Sequence, residues 1–138
     1  MASFQKFQPF VQSLANGVFN LATDQLQVAL CATANTPVVT NSVLADLTQI
    51  SYTNLSSRVI TTTSSTQTGG LYSLVLVDLT LTASGGSVAA FQYVVIYDNT
   101  AASKNLIGWF DYGSALALNS VESILLDFDQ VNGCLTIQ

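Results

Sequence analysis

Residues 71–97 read Leu71-Tyr72-Ser73-Leu74-Val75-Leu76-Val77-Asp78-Leu79-Thr80-Leu81-Thr82, then Ala83-Ser84-Gly85-Gly86-Ser87, then Val88-Ala89-Ala90-Phe91-Gln92-Tyr93-Val94-Val95-Ile96-Tyr97. The first run is apolar on both faces apart from Asp78 and Thr80, and the second is nearly all apolar. Runs rich in β-branched and aromatic residues and bounded by glycine turns read as buried strands. Two adjacent long runs joined through Ser84-Gly85-Gly86 predict an antiparallel pair in the middle of a sheet.

Outward from this stretch the same grammar recurs. Leu26, Val28, Leu30 and Ala32 alternate with Gln27, Ala29, Cys31 and Thr33, the period of a strand, until Asn35-Thr36-Pro37 stops it. Asn41 to Leu47 predicts one helical turn, with Asn41 or Ser42 as cap and Val43, Leu44 and Leu47 facing inward. Ser51 to Thr68 is polar. Its centre, Arg58 to Thr66, has strong β propensity but few large apolar groups, which predicts an edge strand or a loop-like arm. Thr68-Gly69-Gly70 is a turn, Asp98 to Lys104 a loop, and Leu106 to Asp111 a strand. Val121 to Asp129 and Cys134 to Ile137 flank Asn132-Gly133, the strongest short hairpin signal in the chain. About seven or eight strands at this spacing predict a mainly β fold, an antiparallel β-sandwich or jelly-roll-like domain.

The N-terminus reads differently. Phe4, Phe7, Phe10, Val11, Leu14 and Val18 recur at steps of three and four, one face of a helix. Pro9 is tolerated only in a first turn, so a short helix is expected from about Pro9 to Leu14, ended by Asn16-Gly17. Ser3 is placed to cap the start, and Phe4 and Phe7 are expected on an arm before the helix. The stripe either covers an open end of the domain's own core or docks on a neighbouring subunit. Residues 1–138 thus read as a single β domain, with 1–21 as N-terminal arm and helix and 22–138 as the sandwich. No segment has the length of a membrane span or the continuous apolar core of a secretory leader, so neither is expected.

Composition narrows the function. Of the 138 residues only 8% are charged, against about 25% in an average domain, whereas 49 are Ser, Thr, Asn or Gln. Such a surface is wetted by hydroxyls and amides, which cost far less than Lys or Glu to bury against another protein. Three Lys plus Arg against eight Asp plus Glu leave a net charge of −5, which argues against a nucleic-acid partner. With no histidine, His-based catalysis and His metal sites are excluded. Cys31 and Cys134 are too few for a structural zinc site and read as reduced, half-buried thiols.

The remaining candidates for chemistry are acidic or aromatic. Asp127 and Asp129 are expected to share one strand face, and Asp98 and Asp111 to end neighbouring strands. Lacking an Asp-dense loop, these read as solvated strand ends and not as a calcium site or a glycosidase pair. Phe91, Tyr93 and Tyr97, with Trp109 and Tyr112, would stack sugars if exposed, but core packing is the simpler expectation. Arg58, the lone arginine, is either a surface residue or, at a contact, must meet a carboxylate or carbonyls. No catalytic residue, no cofactor and no metal is assigned.

Three groups of residues carry a resemblance: Val94-Val95-Ile96-Tyr97-Asp98-Asn99-Thr100-Ala101; Lys104-Asn105-Leu106-Ile107-Gly108-Trp109-Phe110-Asp111-Tyr112-Gly113-Ser114; and Asp127-Phe128-Asp129 with Asn132-Gly133-Cys134-Leu135-Thr136-Ile137. With Phe4-Gln5-Lys6-Phe7, Leu14-Ala15 and Asn20-Leu21 to Leu30, the chain resembles a family of small structural proteins of tailed bacteriophages. It departs from that family between Ser51 and Thr68, where Asn54-Leu55-Ser56-Ser57 replaces a glycine-containing loop. The resemblance implies a virion component on the capsid exterior. It points to a capsid decoration (cement) protein, a homotrimer that clamps the major capsid protein, with neither nucleic acid nor membrane as partner. The expected contact segments are Phe4–Val18 and Ser51–Thr68, through Phe4, Phe7, Phe10, Val11, Leu14, Val18, Arg58, Val59 and Ile60. The alternative is a tail or fibre component that binds a host-surface glycan.

Overall fold

The computed structural model describes residues 2–138. In chain order they form β1 (Phe4–Lys6), α1 (Gln8–Ala15), β2 (Leu26–Cys31), a 3-10 turn (Leu44–Asp46), β3 (Val59–Ile60), β4 (Thr62–Thr68), β5 (Leu71–Leu76), β6 (Leu79–Thr82), β7 (Val88–Asp98), β8 (Leu106–Leu118), β9 (Ser123–Leu126) and β10 (Leu135–Ile137). Three antiparallel sheets result, with strand orders β1-β8-β7-β2-β3, β10-β5-β4 and β6-β9. The fold is mainly β and sandwich-like, around one hydrophobic cluster to which all three sheets contribute.

The centre of that cluster is β7, buried at every residue from Phe91 to Asp98. Because side chains alternate along a strand, both faces of the sheet must be covered here. On one face Val94 and Ile96 lie between Leu30 and Val28 of β2 and Phe110 and Gly108 of β8. Phe128 reaches Phe110 from the far layer, with ring centroids 6.0 Å apart. On the other face Tyr93, Val95 and Tyr97 lie beside Cys31, Ala29 and Gln27. That face is closed by Phe7, whose ring sits 4.5 Å from that of Trp109, and by the loop after β2, where the Thr36 hydroxyl donates to the Tyr93 oxygen at 2.9 Å.

The two runs that identify the fold as β are not partners of each other. The stretch 71–82 breaks at Val77-Asp78 into β5 and β6, which belong to different sheets, and β7 belongs to the third. Asp78 holds the corner: its carboxylate accepts the Phe128 amide at 2.8 Å and the Gln130 side-chain amide at 2.9 Å. An all-apolar strand carries no alternation to select its neighbour, so proximity in sequence was a poor guide to pairing.

The Asn132-Gly133 hairpin is likewise corrected, since β9 pairs with β6 and β10 with β5. Gly133, at φ 92°, is instead a point of close approach, where an added Cβ would strike the Ser73 side chain and lie 2.9 Å from the Leu74 carbonyl oxygen. Asp127 and Asp129 follow the end of β9, so they share no strand face. Asp111 does not end a strand either, because β8 continues to Leu118.

The N-terminal helix is present, as expected, with Asn16 as C-cap and Gly17 at φ 80° beyond it. What precedes it is no arm. Phe4, Gln5 and Lys6 pair with Phe110, Trp109 and Gly108, adding an edge strand to the main sheet. Proline in the first turn fixes where the helix starts, and the chain upstream of it is left free to extend. Ser3 therefore caps nothing, since Phe7 occupies the N-cap position without a side-chain bond.

Candidate assembly surface

The residues nominated as contacts separate into two sets. Phe7, Phe10 and Ile60 are 0%, 2% and 4% exposed and belong to the chain's own core, so the expectation that they meet a partner is corrected. The physical reason is the strand-turn-helix path of the N-terminus, which turns Phe7 onto Trp109 and Phe10 edge-on to Phe19, 5.0 Å away. Phe4 is half-buried on Phe110, and Val59 is half-buried in β3, at the edge of the main sheet. Val11, Leu14 and Val18 remain at the surface, with Val11 and Val18 exposed and Leu14 half-buried.

Arg58 is held within its own chain. Its Nη1 donates to the Val28 carbonyl at 2.7 Å, and its guanidinium carbon lies 3.7 Å above the centre of the Tyr52 ring. Tyr52 in turn accepts the Leu30 amide at 2.9 Å and donates to Gln49 at 2.6 Å. The carbonyl that an enclosed guanidinium requires is thus supplied by β2, and the contact pins the 49–58 segment onto that strand.

Leu14 lines an apolar groove. This groove of about 530 Å³ lies between Leu14 with the following Gly17–Ala22 segment and Ser65, Tyr72 and Ile137 of β4, β5 and β10. Its lining has no charged residue. The Tyr72 hydroxyl is held by Ser65 at 2.8 Å, and burial pushes its pKa upward, so the ring stays neutral and fixed in the wall. Phe19, Leu21, Tyr72 and Ile137 were not anticipated as lining one groove. They come from three separate parts of the chain, and no local pattern joins them.

Beside the groove runs β4, the last strand of its sheet. Its distal half, Thr66 to Thr68, is exposed, as is Leu71 across the turn. Natural sheet edges are usually protected by charge, proline or a bulge, because unpaired backbone groups invite another strand. This edge has a bulge between Thr62 and Ser64, but from Val59 to Val77 the chain carries no charge and no proline. The edge position expected for Arg58–Thr66 is therefore found twice, since β3 and β4 end different sheets.

Phe91, Tyr93, Tyr97 and Trp109 are all buried, as core packing required, and only Tyr112 of that set is half-exposed. Burial pushes the thiols of Cys31 and Cys134 up to about 11 and about 12, so both stay protonated and unreactive. The Asp46 carboxylate is held below its usual range by the Ser42 and Val43 amides, and that of Asp129 by Asn132. Among the described residues no helix is long and apolar enough to cross a membrane. Compared with protein-family models, curated proteins and solved structures, the chain matches none of them.

Proposed function

We propose that the chain is a phage virion structural protein, a capsid decoration (cement) protein that assembles with itself as a homotrimer and stabilises the major capsid protein shell from outside. The phage assignment follows the sequence resemblance. The observation that carries a contact role is the open, uncharged β4 edge beside the apolar groove. A chain of net charge −5 repels its copies wherever carboxylates face one another, and the sector from Val59 to Val77 is free of them. A second copy is therefore the occupant that this edge favours. In a trimer the contact is heterologous, the edge of one copy meeting a different surface of the next. Such a protein performs no chemical transformation. It stabilises what it binds by mass action, by about 2.7 kcal/mol at a concentration one hundred times its dissociation constant.

The glycan-binding alternative loses most of the aromatic platform named for it, because Phe91, Tyr93, Tyr97 and Trp109 lie in the core. Light scattering of the purified chain tests the assembly reading. Wild type is expected at three times the monomer mass. The double variant Thr63→Lys with Thr66→Lys, both at exposed positions, is expected to be monomeric with stability unchanged within about 0.5 kcal/mol. A wild type that stays monomeric at high micromolar concentration would overturn the trimer. Phage heads whose disruption temperature is the same with and without the protein would overturn cementing.

A further inference from the structure

Asp98, the last residue of β7, is wholly buried. Its Oδ1 accepts the amides of Thr100 and Ala101 at 2.8 and 3.1 Å, which forms the turn into the β7–β8 loop. Its Oδ2 is buried and has no hydrogen-bond partner among the described residues. The side chain within hydrogen-bonding reach is another carboxyl, that of Asp24. Two carboxylates cannot bond to each other; a carboxylate and a carboxylic acid can.

Among the described residues, Asp24 is the titratable group that acts on Asp98. Opposite Asp98, β2 places Leu26, and the start of β8 contributes the Asn105 carbonyl, which accepts the Asp98 amide at 2.9 Å. The one nearby cation, Lys104, donates its ammonium to the Asn99 carbonyl.

Asp24 also braces the chain around it. Its Oδ2 accepts the Asn20 amide at 2.8 Å, and the Asn20 carbonyl accepts the amides of Thr23 and Asp24 at 3.1 and 2.8 Å. Gln25 bonds across to the β7–β8 turn, donating its amide to the Thr100 hydroxyl and accepting the Asn99 amide, each at 2.8 Å. Asn20, Leu21 and Ala22 of this braced segment form one wall of the apolar groove.

We propose that Asp24 and Asp98 form a proton-operated latch: one shared proton ties the Asn20–Gln25 wall of the groove to the β7–β8 turn, and its release on raising the pH loosens that wall. The inference rests on the assembly reading only for what the groove receives. Burial and the Asp24 carboxyl raise the pKa of Asp98 from 3.8 to about 6. The folded state thus binds this proton more tightly than the unfolded chain does. Its stabilising contribution is complete below about pH 3.8, declines as the pH rises, and is lost above about pH 6. A divalent cation is a poorer occupant, because two carboxylates fall far short of the six to eight oxygens that calcium takes.

The test is made on the isolated chain by carboxyl carbon NMR and amide exchange. Asp98 is expected to titrate near pH 6. Protection of the Thr23, Asp24 and Gln25 amides, corrected for intrinsic rates, should fall about tenfold between about pH 5 and pH 7.5. In Asp98→Asn the amide can donate to Asp24 at any pH while Oδ1 still accepts its two amides, so protection should stay constant. Asp24→Asn is the second variant, expected to abolish the pH dependence from the other side. Titration of Asp98 at its ordinary value of 3.8, or full restoration of protection at pH 7.5 by millimolar calcium, would overturn the latch. Light scattering at the two pH values separates the readings: a latch that titrates while no oligomer forms at either pH leaves the latch standing and sinks the assembly reading.

Discussion

Phe7→Ala is expected to remove about 3–5 kcal/mol of folding stability, the usual cost of deleting a fully buried phenylalanine. Phe7 is 0% exposed, and its ring lies 4.5 Å from that of Trp109, on the face of the main sheet away from Phe128. Its amide donates to the Ile107 carbonyl at 3.1 Å, and the next amide, of Gln8, donates to Val39 at 2.9 Å. The side chain therefore closes one side of the core at the point where β1, α1, β8 and the loop after β2 meet. Truncation leaves a void that those backbone bonds keep from collapsing. Chemical denaturation should show the loss as a lower midpoint with little change in slope. Val11→Ala, three residues into the helix at a position 54% exposed, should shift stability by no more than about 0.5 kcal/mol. If Phe7→Ala instead left the monomer's stability intact and only weakened self-association, the N-terminus would be a docking arm after all.

Gly108→Ala is expected to cost about 1–3 kcal/mol, the range for overpacking a filled core, and to detach β1. Gly108 sits within β8 opposite Lys6, and an added Cβ would lie 2.5 Å from the Gln5 carbonyl oxygen as well as striking the ring of Phe4. The ring can swing away, but the carbonyl belongs to the paired strand and moves only if the pairing does. Hydrogen exchange should therefore show the amides of β1 losing protection while those of β2 and β7 keep it. A variant with wild-type protection in β1 would mean that the strand is not held by this close approach. The run Leu106-Ile107-Gly108-Trp109-Phe110 gave a strand but no hint of why its centre lacks a side chain. The answer lies a hundred residues away, at Phe4 and Gln5.

The site was less legible than the fold. The Thr- and Ser-rich stretch could be read as an edge, because β-forming residues without large apolar groups cannot sit inside a sandwich. The groove beside it could not be read at all. Phe19, Tyr72 and Ile137 look like ordinary core positions, Leu14 was legible only as part of the N-terminal stripe, and only their convergence leaves a shared apolar wall open. The Asp24–Asp98 pair was hidden for the same reason. Asp98 read as a solvated strand end, whereas it is wholly buried, next to Asn99 whose amide is bonded to the Gln25 carbonyl.

Local physics alone determined most of the strands, the short helix with its proline start and glycine stop, the charge-poor surface and the absence of histidine chemistry. These follow from side-chain periodicity, backbone restriction and composition, which act within a few residues. The tertiary structure decided which strand lies beside which, whether Phe4 and Phe7 hang free or seal the core, and which polar groups share a proton. Those outcomes depend on contacts between segments far apart in the chain. An all-apolar strand or a lone carboxylate is compatible with many partners, and only packing the whole molecule selects one.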